Sequence, residues 1–559
     1  MPRLTAAPLA APGIALASAL ALGSLAAGPA RAGSALLVSA YAYPPSVAQG
    51  ESLGIYVSTN AETFDLRITR EGATPTEVLF LPDRPGVYQL APDSAWAYGC
   101  DWERSLTIKI LDTWPSGVYV IAVTIPPGLT KYAVFTVREN HPGSTGRILV
   151  QCSITTWQAY NDWGGNSLYP SASPGRGHVV SFRRPYALTA DQGDFWLWEL
   201  PLIRWLEEQG YDAEYCTSLD LHADPLLLRS YDVFVSVGHD EYWSQPMRAA
   251  LEEQIADGGH VLFLGGNTSW WQVRFSEDLS RMICYKSAAL DPLTGVVDSL
   301  VTVNWFDPPV LRPENPVTGL SFRNGGYVNY YGWYPVSEGY GGYTAHRTDH
   351  WAYEGTGLAE GQEFGQEAAI VGHEVDGALV TWEDSLPYVT GEDGTPLGFT
   401  ILATSPASRG LATMGLYTAP SGAVVFNAAT IRWSAGLATD TTVSRITFNV
   451  LNELLGLEVG APDERGGREP GPRASGRLLA SPVPGGPSVR LAWDGARQPG
   501  AGVDVFSVRG RLVASVSLAP DGTATWDGND SGGRPAPSGV YFARGGGASP
   551  VFAKIILLR

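Results

Sequence analysis

An alternation of apolar, strand-like runs with helix-like stretches, between residues 147 and 265, constrains the fold of this chain more than any other feature. The runs that predict buried strands are 147–152, 212–216, 231–237 and 260–265, and the stretches that predict helices are 195–209 and 245–256. Strands that alternate with helices of this length predict right-handed βαβ units and a parallel sheet. The chain therefore contains an α/β domain.

The third of these runs leads directly into ionisable side chains. Gly238 ends it, and His239, Asp240 and Glu241 follow. Ligands of open α/β sheets bind where parallel strands end, and alternate side chains of an extended segment share a face, so His239 and Glu241 can converge there. The alternative is a capping turn, in which Asp240 or Ser244 closes the next helix and His239 is only hydrogen-bonded.

The patterns on either side divide the chain further. Short alternating runs separated by turn residues predict immunoglobulin-like β-sandwiches at both ends, and a Gly-, Pro- and Arg-rich stretch predicts a linker. The α/β domain is predicted to be doubly wound, like flavodoxin or a glutamine-amidotransferase core, with β insertions that cover the edge of the sheet. The predicted division is a signal peptide over 1–32, a sandwich over 33–140, the α/β domain over 141–459, a linker over 460–477 and a small sandwich over 478–559.

The first 32 residues have the features of a secretory signal. Arg3 precedes an apolar stretch over 14–27, which is too short for a membrane span, and Ala30-Arg31-Ala32 forms a cleavage site. No later segment is apolar and long enough to cross a bilayer. We therefore expect an exported protein, secreted or at the cell surface, that is cleaved near Ala32.

The cysteine content bears on disulfide bonding, and the net charge bears on the kinds of binding partner. Four cysteines allow three disulfide pairings in an oxidising compartment, but Cys152 and Cys216 lie inside apolar strand patterns and are expected to be lone buried thiols. The formal net charge of -19 argues against binding to nucleic acid or anionic lipid.

Polar side chains follow three of the predicted parallel strands. Tyr160 comes after the first strand, His239 and Glu241 after the third, and Asn267 after the fourth. Tyrosine and glutamate supply hard anionic oxygens, which suit ferric iron better than zinc or copper. No His-x-x-x-His or clustered cysteine pattern offers a competing metal site.

Three segments carry a family resemblance: Y-N-x-x-G-G-x-S-L-Y from Tyr160, G-H-D-E-Y-W-S from Gly238 and G-G-N-T-S-W-W-Q-V-R from Gly265. Over about residues 112 to 435 the chain resembles the large subunit of N,N-dimethylformamidase. In that family two tyrosines and a glutamate hold a mononuclear iron. The resemblance implies Fe(III) held by Glu241, Tyr160 and Tyr119.

The position of Tyr119 is open to another interpretation. It ends a Gly-Val-Tyr triplet that recurs at 86–88 and 539–541, where the triplet is typical of a sandwich strand, so Tyr119 is either a ligand or a packed tyrosine. The resemblance also places His239 and Asn267 around the metal and Glu374 in the substrate pocket. The chain differs from the family in having His373 before Glu374, an export signal and a C-terminal sandwich.

These positions imply hydrolysis of an amide C–N bond. A ferric ion would polarise the amide carbonyl and make bound water more acidic, His239 or Glu374 would transfer the proton, and Asn267 would orient the substrate or the developing oxyanion. The expected substrate is a small neutral amide, because five tryptophans close to the polar residues would wall off a small apolar pocket. Those tryptophans are Trp157, Trp163, Trp243, Trp270 and Trp271.

The resemblance also implies a small-subunit partner or a homo-oligomer. The C-terminal segment resembles the sorting and flagellar-hook-cap-like immunoglobulin domains of exported bacterial proteins, which implies contact with a secretion machinery. A second interpretation belongs to a different class of protein. In it the chain is a non-catalytic exported surface or carbohydrate-binding protein, and the tryptophans form an exposed platform for sugars.

Overall fold

A computed structural model describes residues 35–170, 175–187, 195–328, 341–457, 478–482, 488–493, 502–507, 512–519, 523–545 and 551–557. These residues fall into two compact units, one within 1–460 and one within 461–559. The predicted signal peptide and linker lie outside the described residues. Sheets dominate and helices are few, which confirms the predicted multidomain α/β-plus-β class.

A nine-stranded sheet forms the centre of the first unit. Its strands in chain order are β1 (Ile148–Cys152), β2 (Ala213–Thr217), β3 (Val233–His239), β4 (His260–Gly266), β5 (Tyr343–Ala345), β6 (Glu363–Phe364), β7 (Thr400–Ala407), β8 (Gly410–Thr418) and β9 (Val424–Asn427). Their spatial order is β2-β1-β3-β4-β9-β8-β7-β5-β6. The first five in that order are parallel, and the remaining four are antiparallel.

The parallel half agrees with the strands expected from the sequence. All residues of β1 and β3 are buried, as apolar runs between covering helices require. The predicted end of the third strand at Val237 is wrong, because pairing continues through Gly238 and His239. Gly238 has a positive φ of 68°, and a Cβ there would clash with Trp198, so the glycine allows the strand to pass closely under that ring.

The β insertion was expected to cover an edge of this sheet. Instead β8, β7, β5 and β6 join the sheet and extend it with antiparallel pairs beyond β9. Two smaller sheets complete the region and carry part of the site described below. One pairs Ser321–Val328 with His373–Gly377, and the other contains Val179–Ser181, Arg281–Ile283, Trp271–Phe275 and Tyr242–Ser244. A hairpin joins Val380–Glu383 to Leu386–Val389.

Helices and short helical turns connect the strands of the first unit. The α-helices are Ala95–Tyr98, Ile154–Tyr160, Leu200–Glu208, Ser218–Ala223, Gln245–Ala256, Asn315–Thr318 and Thr441–Leu455; Phe195–Glu199 is a π-turn, and the 3₁₀ turns are Leu227–Ser230, Asp298–Leu300, Trp351–Tyr353 and Trp433–Gly436. Asp440 caps the longest helix, accepting from the amides of Thr442 at 2.9 Å and Val443 at 3.0 Å. The helix ends at Gly456, whose φ of 63° stops it.

Two β-sheets precede the α/β region. One contains Val38–Tyr43, Ser52–Thr59 and Leu106–Lys109, and the other contains Ser46–Ala48, Leu129–Arg138, Gly117–Ile125, Thr63–Arg70 and Thr76–Pro85. Their inner faces share a buried cluster that includes Ile55, Ile68 and Ile121. Val118 and Val134, on the other face of the second sheet, pack with the α/β core. These sheets therefore belong to the same compact unit as the α/β region.

The second unit also consists of two sheets. They contain Leu478–Pro482, Val489–Trp493 and Thr523–Trp526, and Gly502–Ser507, Leu512–Ser517, Gly539–Gly545 and Val551–Leu557. Val503, Trp526 and Ile555 are part of their shared buried core. This unit therefore has a hydrophobic core of its own.

All four cysteines are buried and none forms a disulfide, as expected for Cys152 and Cys216. Among the described residues, no helix has the length and apolar character needed to cross a membrane.

Candidate active site

The candidate site lies at the carboxyl ends of three neighbouring parallel strands. The Ile154–Tyr160 helix follows β1 and ends on Tyr160, Glu241 comes two residues after β3, and Asn267 directly follows β4. β1 is flanked by β2 on one side and β3 on the other. The chain therefore crosses the sheet in opposite directions on either side of this point, and such switch points are where open α/β sheets bind ligands.

The Glu241 carboxylate is the centre of the site. It is buried, with a relative exposure of 3%. The Tyr160 hydroxyl lies 3.0 Å from Oε2, the Tyr169 hydroxyl lies 3.0 Å from Oε1, and Trp271 Nε1 donates to Oε1 at 2.9 Å. The backbone amide of Glu241 donates to Thr156 Oγ1 at 3.0 Å, which ties the residue to the helix after β1.

The phenols form a continuous row beside this carboxylate. The hydroxyls of Tyr160 and Tyr169 are 2.9 Å apart, and their rings stack with centroids 4.3 Å apart. The Tyr242 hydroxyl lies 2.7 Å from that of Tyr169, and Lys286 Nζ donates to Tyr242 at 2.6 Å. The same ammonium sits 3.5 Å from the centroid of the Tyr169 ring, a cation–π arrangement.

A second hydrogen-bonded group adjoins the first. His239 Nε2 lies 2.8 Å from Glu374 Oε2 and 3.5 Å from Glu241 Oε2. Asn267 Nδ2 donates to Glu374 Oε2 at 3.0 Å. The Asn267 backbone, with a φ of 51°, donates to Asp376 Oδ1 at 2.8 Å. Asp376 therefore helps to hold Asn267 in a conformation that side-chain-bearing residues seldom adopt.

Burial and neighbouring charges together shift the pKa values of these groups in different directions. Burial, and then the Glu241 charge, raise the pKa values of Tyr160 and Tyr169 well above the ordinary value. Burial raises the pKa of Glu241 although His239 and Lys286 oppose it. For Glu374, burial would raise the pKa, but the charge and hydrogen bond of His239 outweigh it and lower the pKa. Without a cation the phenols are therefore held neutral, and a bound cation would favour their anionic forms.

The donor set fits a hard metal ion. Phenol and carboxylate oxygens converge at distances of 2.9 to 3.1 Å from one another, and oxygen anions of this kind suit Fe(III). Within the part of the chain that the structure describes, no group of three or more His, Cys, Asp or Glu side chains is arranged to hold a metal. Any metal at this site would therefore depend on the tyrosines.

The structure brings together five of the six predicted site residues: Tyr160, His239, Glu241, Asn267 and Glu374. The strand-edge interpretation of His239 and Glu241 thus matches their geometry. The alternative also holds in part, because Ser244 does occupy the N-cap of the following helix.

Tyr119 is the exception. It is fully buried in the N-terminal sandwich core, where its ring lies 5.3 Å from that of Trp114 and 5.4 Å from that of Phe135. Its hydroxyl donates to the Pro115 carbonyl at 2.7 Å. The placement of Tyr119 at the site is therefore corrected, because its strand turns it into the sandwich; the second tyrosine beside Glu241 is Tyr169.

Three further residues at the site were missed by sequence reasoning. Tyr169 and Tyr242 lie inside the motifs that carry the family resemblance, so the signal was present but was not assigned to them. Lys286 lies outside those motifs and carries no sequence signal.

The expected tryptophan wall is only partly present. Among the five, only Trp271 has a described side-chain hydrogen bond to the Glu241 carboxylate. Trp157 donates to Glu199 at 3.0 Å, Trp243 donates to the Asp240 carbonyl at 3.0 Å, and Trp270 packs on Phe322. Trp163 meets Trp102 edge to face. Trp157, Trp243 and Trp270 are buried, which argues against an exposed platform for sugars.

Comparisons with known proteins point to one family. The sequence model described as "N,N-dimethylformamidase beta subunit-like, C-terminal" matches residues 83–445. The N,N-dimethylformamidase beta subunit of Paracoccus aminophilus is 28% identical over 215 residues, which cover 31% of this chain and 28% of that protein. The corresponding subunit of Alcaligenes sp. is 27% identical over 215 residues, with the same coverages of 31% and 28%. The match thus spans little more than a quarter of either relative.

A solved structure of a Paenibacillus sp. cycloisomaltooligosaccharide glucanotransferase, complexed with cycloisomaltoheptaose, also matches weakly. It is 9% identical and covers 40% of this chain and 44% of its own, with a TM-score of 0.14. A score this low supports no conclusion about the fold.

Proposed function

Because this chain belongs to the N,N-dimethylformamidase beta subunit-like family, we propose that it is an iron-dependent amidohydrolase that cleaves the C–N bond of a small neutral amide. The observation that carries the proposal is the buried Glu241 carboxylate with the hydroxyls of Tyr160 and Tyr169 both about 3.0 Å from it. Its surroundings supply hard oxygen donors at the ligand-binding edge of a parallel sheet.

Glu241, Tyr160 and Tyr169 would hold the iron. Trp271 would orient Glu241 by donating to its Oε1, and Lys286 would orient Tyr169 through the cation–π contact with its ring. A ferric ion bound there would supply Lewis-acid activation of the amide carbonyl and of water.

His239, Glu374 and Asn267 would handle the proton. The 2.8 Å contact to Glu374 orients the His239 imidazole, and the Asn267 amide at 3.0 Å fixes Glu374 in turn. His239 Nε2 also lies 3.5 Å from Glu241 Oε2, so a proton held on the imidazole is next to the ligand cluster. The pair can therefore accept a proton from water and return it to the leaving amine.

Metal content is the direct test of this proposal. The purified protein is expected to bind about one iron per chain and to be coloured, because charge transfer from phenolate to ferric iron absorbs visible light. Metal analysis and the visible spectrum check this, and removal of iron with a chelator should bleach the colour. A colourless protein loaded with iron, or one that holds zinc alone, would rule out tyrosinate ligation.

A second candidate function is recognition of sugars at a separate cleft. A cleft of about 620 Å³ is lined by Tyr43, Tyr56, Tyr98 and Trp102, with Arg104 at its side. Aromatic faces with polar side chains beside them are typical of ligand clefts of this size. This cleft, rather than the five tryptophans considered from sequence, is where a carbohydrate-binding function would be located.

A substrate panel separates the two candidates. Amine release from simple formamides and acetamides is expected, with rates of neighbours in a series differing by no more than about 10–200-fold, since one methylene is worth about 1–3 kcal/mol in an apolar pocket. Soluble glycans should be screened for binding in parallel. Glycan binding without amine release from any amide would favour the second candidate.

We also propose that the protein is exported and that residues 478–559 direct its sorting. The finer fold names, immunoglobulin-like for the flanking sheets and glutamine-amidotransferase-like for the α/β region, belong to the same proposal. Support comes from the five parallel strands, whose order is that of flavodoxin-like doubly wound sheets. The matched relatives are called beta subunits, so a small-subunit partner is proposed as well.

Deletion of residues 478–559 is expected to leave amide hydrolysis and iron content unchanged while altering where the protein accumulates. The reason is that the second unit has its own buried core, and domains of this kind fold independently. Activity and fractionation of the truncated protein check this. Loss of folding on truncation would contradict it.

A further inference from the structure

The two tyrosines beside Glu241 belong to one short loop. Tyr160 ends the helix after β1, and Tyr169 follows nine residues later. The chain folds back between them, with Gly164 at a φ of 84° and Gly165 at 112°, conformations that favour glycine. The 2.9 Å separation of the two hydroxyls therefore depends on how the loop 161–168 is held.

A fully buried arginine from outside this loop, Arg184, binds the loop backbone. The Arg184 guanidinium donates to three loop carbonyls: Trp163 at 2.6 Å, Asn161 at 2.7 Å and Asn166 at 3.1 Å. Its Nε donates to Gln158 Oε1 at 2.9 Å. Asn161 and Gln158 lie at the carboxyl end of the helix, where carbonyls lack intrahelical partners and a cation is favoured.

Asn161 reinforces the same attachment. Its Nδ2 donates to Gln158 Oε1 at 2.8 Å and to the Pro185 carbonyl at 3.0 Å, and its Oδ1 accepts from the amide of Trp163 at 3.0 Å. The Arg184 side chain and the Asn161 side chain thus both attach the loop to the segment that carries Arg184.

We propose that Arg184 is a positioning residue, whose buried guanidinium sets the spacing of the Tyr160 and Tyr169 hydroxyls and so shapes the metal site from a distance. This inference rests on the proposed function. The fork of five donors in a guanidinium matches carbonyls that face it from several directions, whereas the ammonium of lysine is a single point with three donors. Replacement by lysine should keep the charge and lose the fork.

The test compares Arg184→Lys with Arg183→Lys in the full chain. Arg183 is the adjacent, exposed arginine, with no described contact to the tyrosine loop 161–168. Arg184→Lys is expected to weaken iron binding by about 10–100-fold, the range typical of groups that orient ligands, and to shift or broaden the visible absorption band. Arg183→Lys should match the unmodified protein. A folded Arg184→Lys protein with unchanged iron affinity and spectrum would overturn the proposal.

Gln158→Ala provides a second variant in case Arg184→Lys does not fold. It removes the acceptor that Arg184 and Asn161 share, and a smaller loss of iron affinity is expected. Unchanged affinity in this folded variant would count against the proposal.

Hydrogen exchange of the metal-free protein separates this inference from the iron assignment. In Arg184→Lys, or in Gln158→Ala, the amides of 161–168 should exchange faster while those of β3 and β4 do not change. Faster exchange in a protein that never binds iron would retain Arg184 as the residue that holds the loop and reject the proposed metal. Unchanged exchange would reject the role of Arg184, whatever the metal content.

Discussion

Replacing Glu241 with alanine is expected to abolish iron binding and, with it, amide hydrolysis. Glu241 contacts both tyrosine hydroxyls and Trp271 Nε1, so its loss removes the group on which the other candidate ligands converge. Loss of a residue that merely orients a ligand lowers metal affinity by about 10–100-fold. For Glu241→Ala we expect iron affinity to fall by more than about 100-fold. Iron content after equilibration with a competing chelator measures the effect.

Glu253→Ala is a matched control, because Glu253 lies on a neighbouring helix with an exposed side chain. It should bind iron and turn over substrate normally. Folding of the metal-free Glu241→Ala protein is checked separately by circular dichroism, because the substitution leaves the buried hydroxyls of Tyr160 and Tyr169 and the Trp271 Nε1 group without their acceptor. Normal iron content in folded Glu241→Ala would exclude Glu241 as a ligand.

Phenylalanine substitutions extend this experiment to the tyrosines. Tyr160→Phe and Tyr169→Phe should each weaken iron binding and alter the charge-transfer band, because each removes one phenol oxygen. Tyr119→Phe should leave both unchanged and cost only about 1 kcal/mol of stability, the worth of its hydrogen bond to Pro115. The reverse pattern would restore Tyr119 as a ligand.

The error at Tyr119 shows how a motif can match in sequence and fail in space. Residues Gly117–Ile125 form a strand whose residue at 119 points into the sandwich. Alternation along a strand fixes the face of each side chain, so a tyrosine in the core of one domain cannot also face another site. Nothing within the Gly-Val-Tyr triplet distinguishes the two placements.

The parallel strands and their helices could be predicted because local signals agree there. The helix Gln245–Ala256 was expected with these bounds, since Ser244 caps it and a proline occupies its first turn. The antiparallel extension could not be predicted in the same way. Hairpin sequences give pairing within a hairpin, but which edge of a sheet the hairpin joins depends on long-range packing.

The missed site residues have a similar explanation. Tyr169 was visible in the same motif as Tyr160, but only a loop that folds back around Arg184 brings the two hydroxyls together. Lys286 reaches Tyr242 and Tyr169 from a distant segment. Sequence patterns therefore located the edge of the sheet and the residues that follow its strands, while contacts between loops required the tertiary structure.

Glu374→Gln is expected to keep iron and its colour but to lower kcat/KM by about 10²–10⁴-fold, the usual contribution of a positioned acid or base. Glutamine preserves the size of the side chain but removes the charge that pairs with His239 Nε2 at 2.8 Å. Glu363→Gln, an exposed glutamate in strand β6, is the matched control and should remain fully active. Iron loss comparable with that of Glu241→Ala would instead make Glu374 a ligand.

Combining Glu374→Gln with His239→Asn tests whether the two residues act together. If Glu374 works by orienting His239 and stabilising its protonated form, removing either residue disables the pair. The double variant should then lose little more activity than either single variant, as expected for groups that function as a unit. Additive losses, with the two fold-changes multiplying, would mean that Glu374 contacts substrate independently of His239. The coupled outcome is the expected one, because Glu374 Oε2 is in contact with His239 Nε2 at 2.8 Å and accepts from Asn267 at 3.0 Å. This oxygen is therefore already engaged by two side chains of the protein.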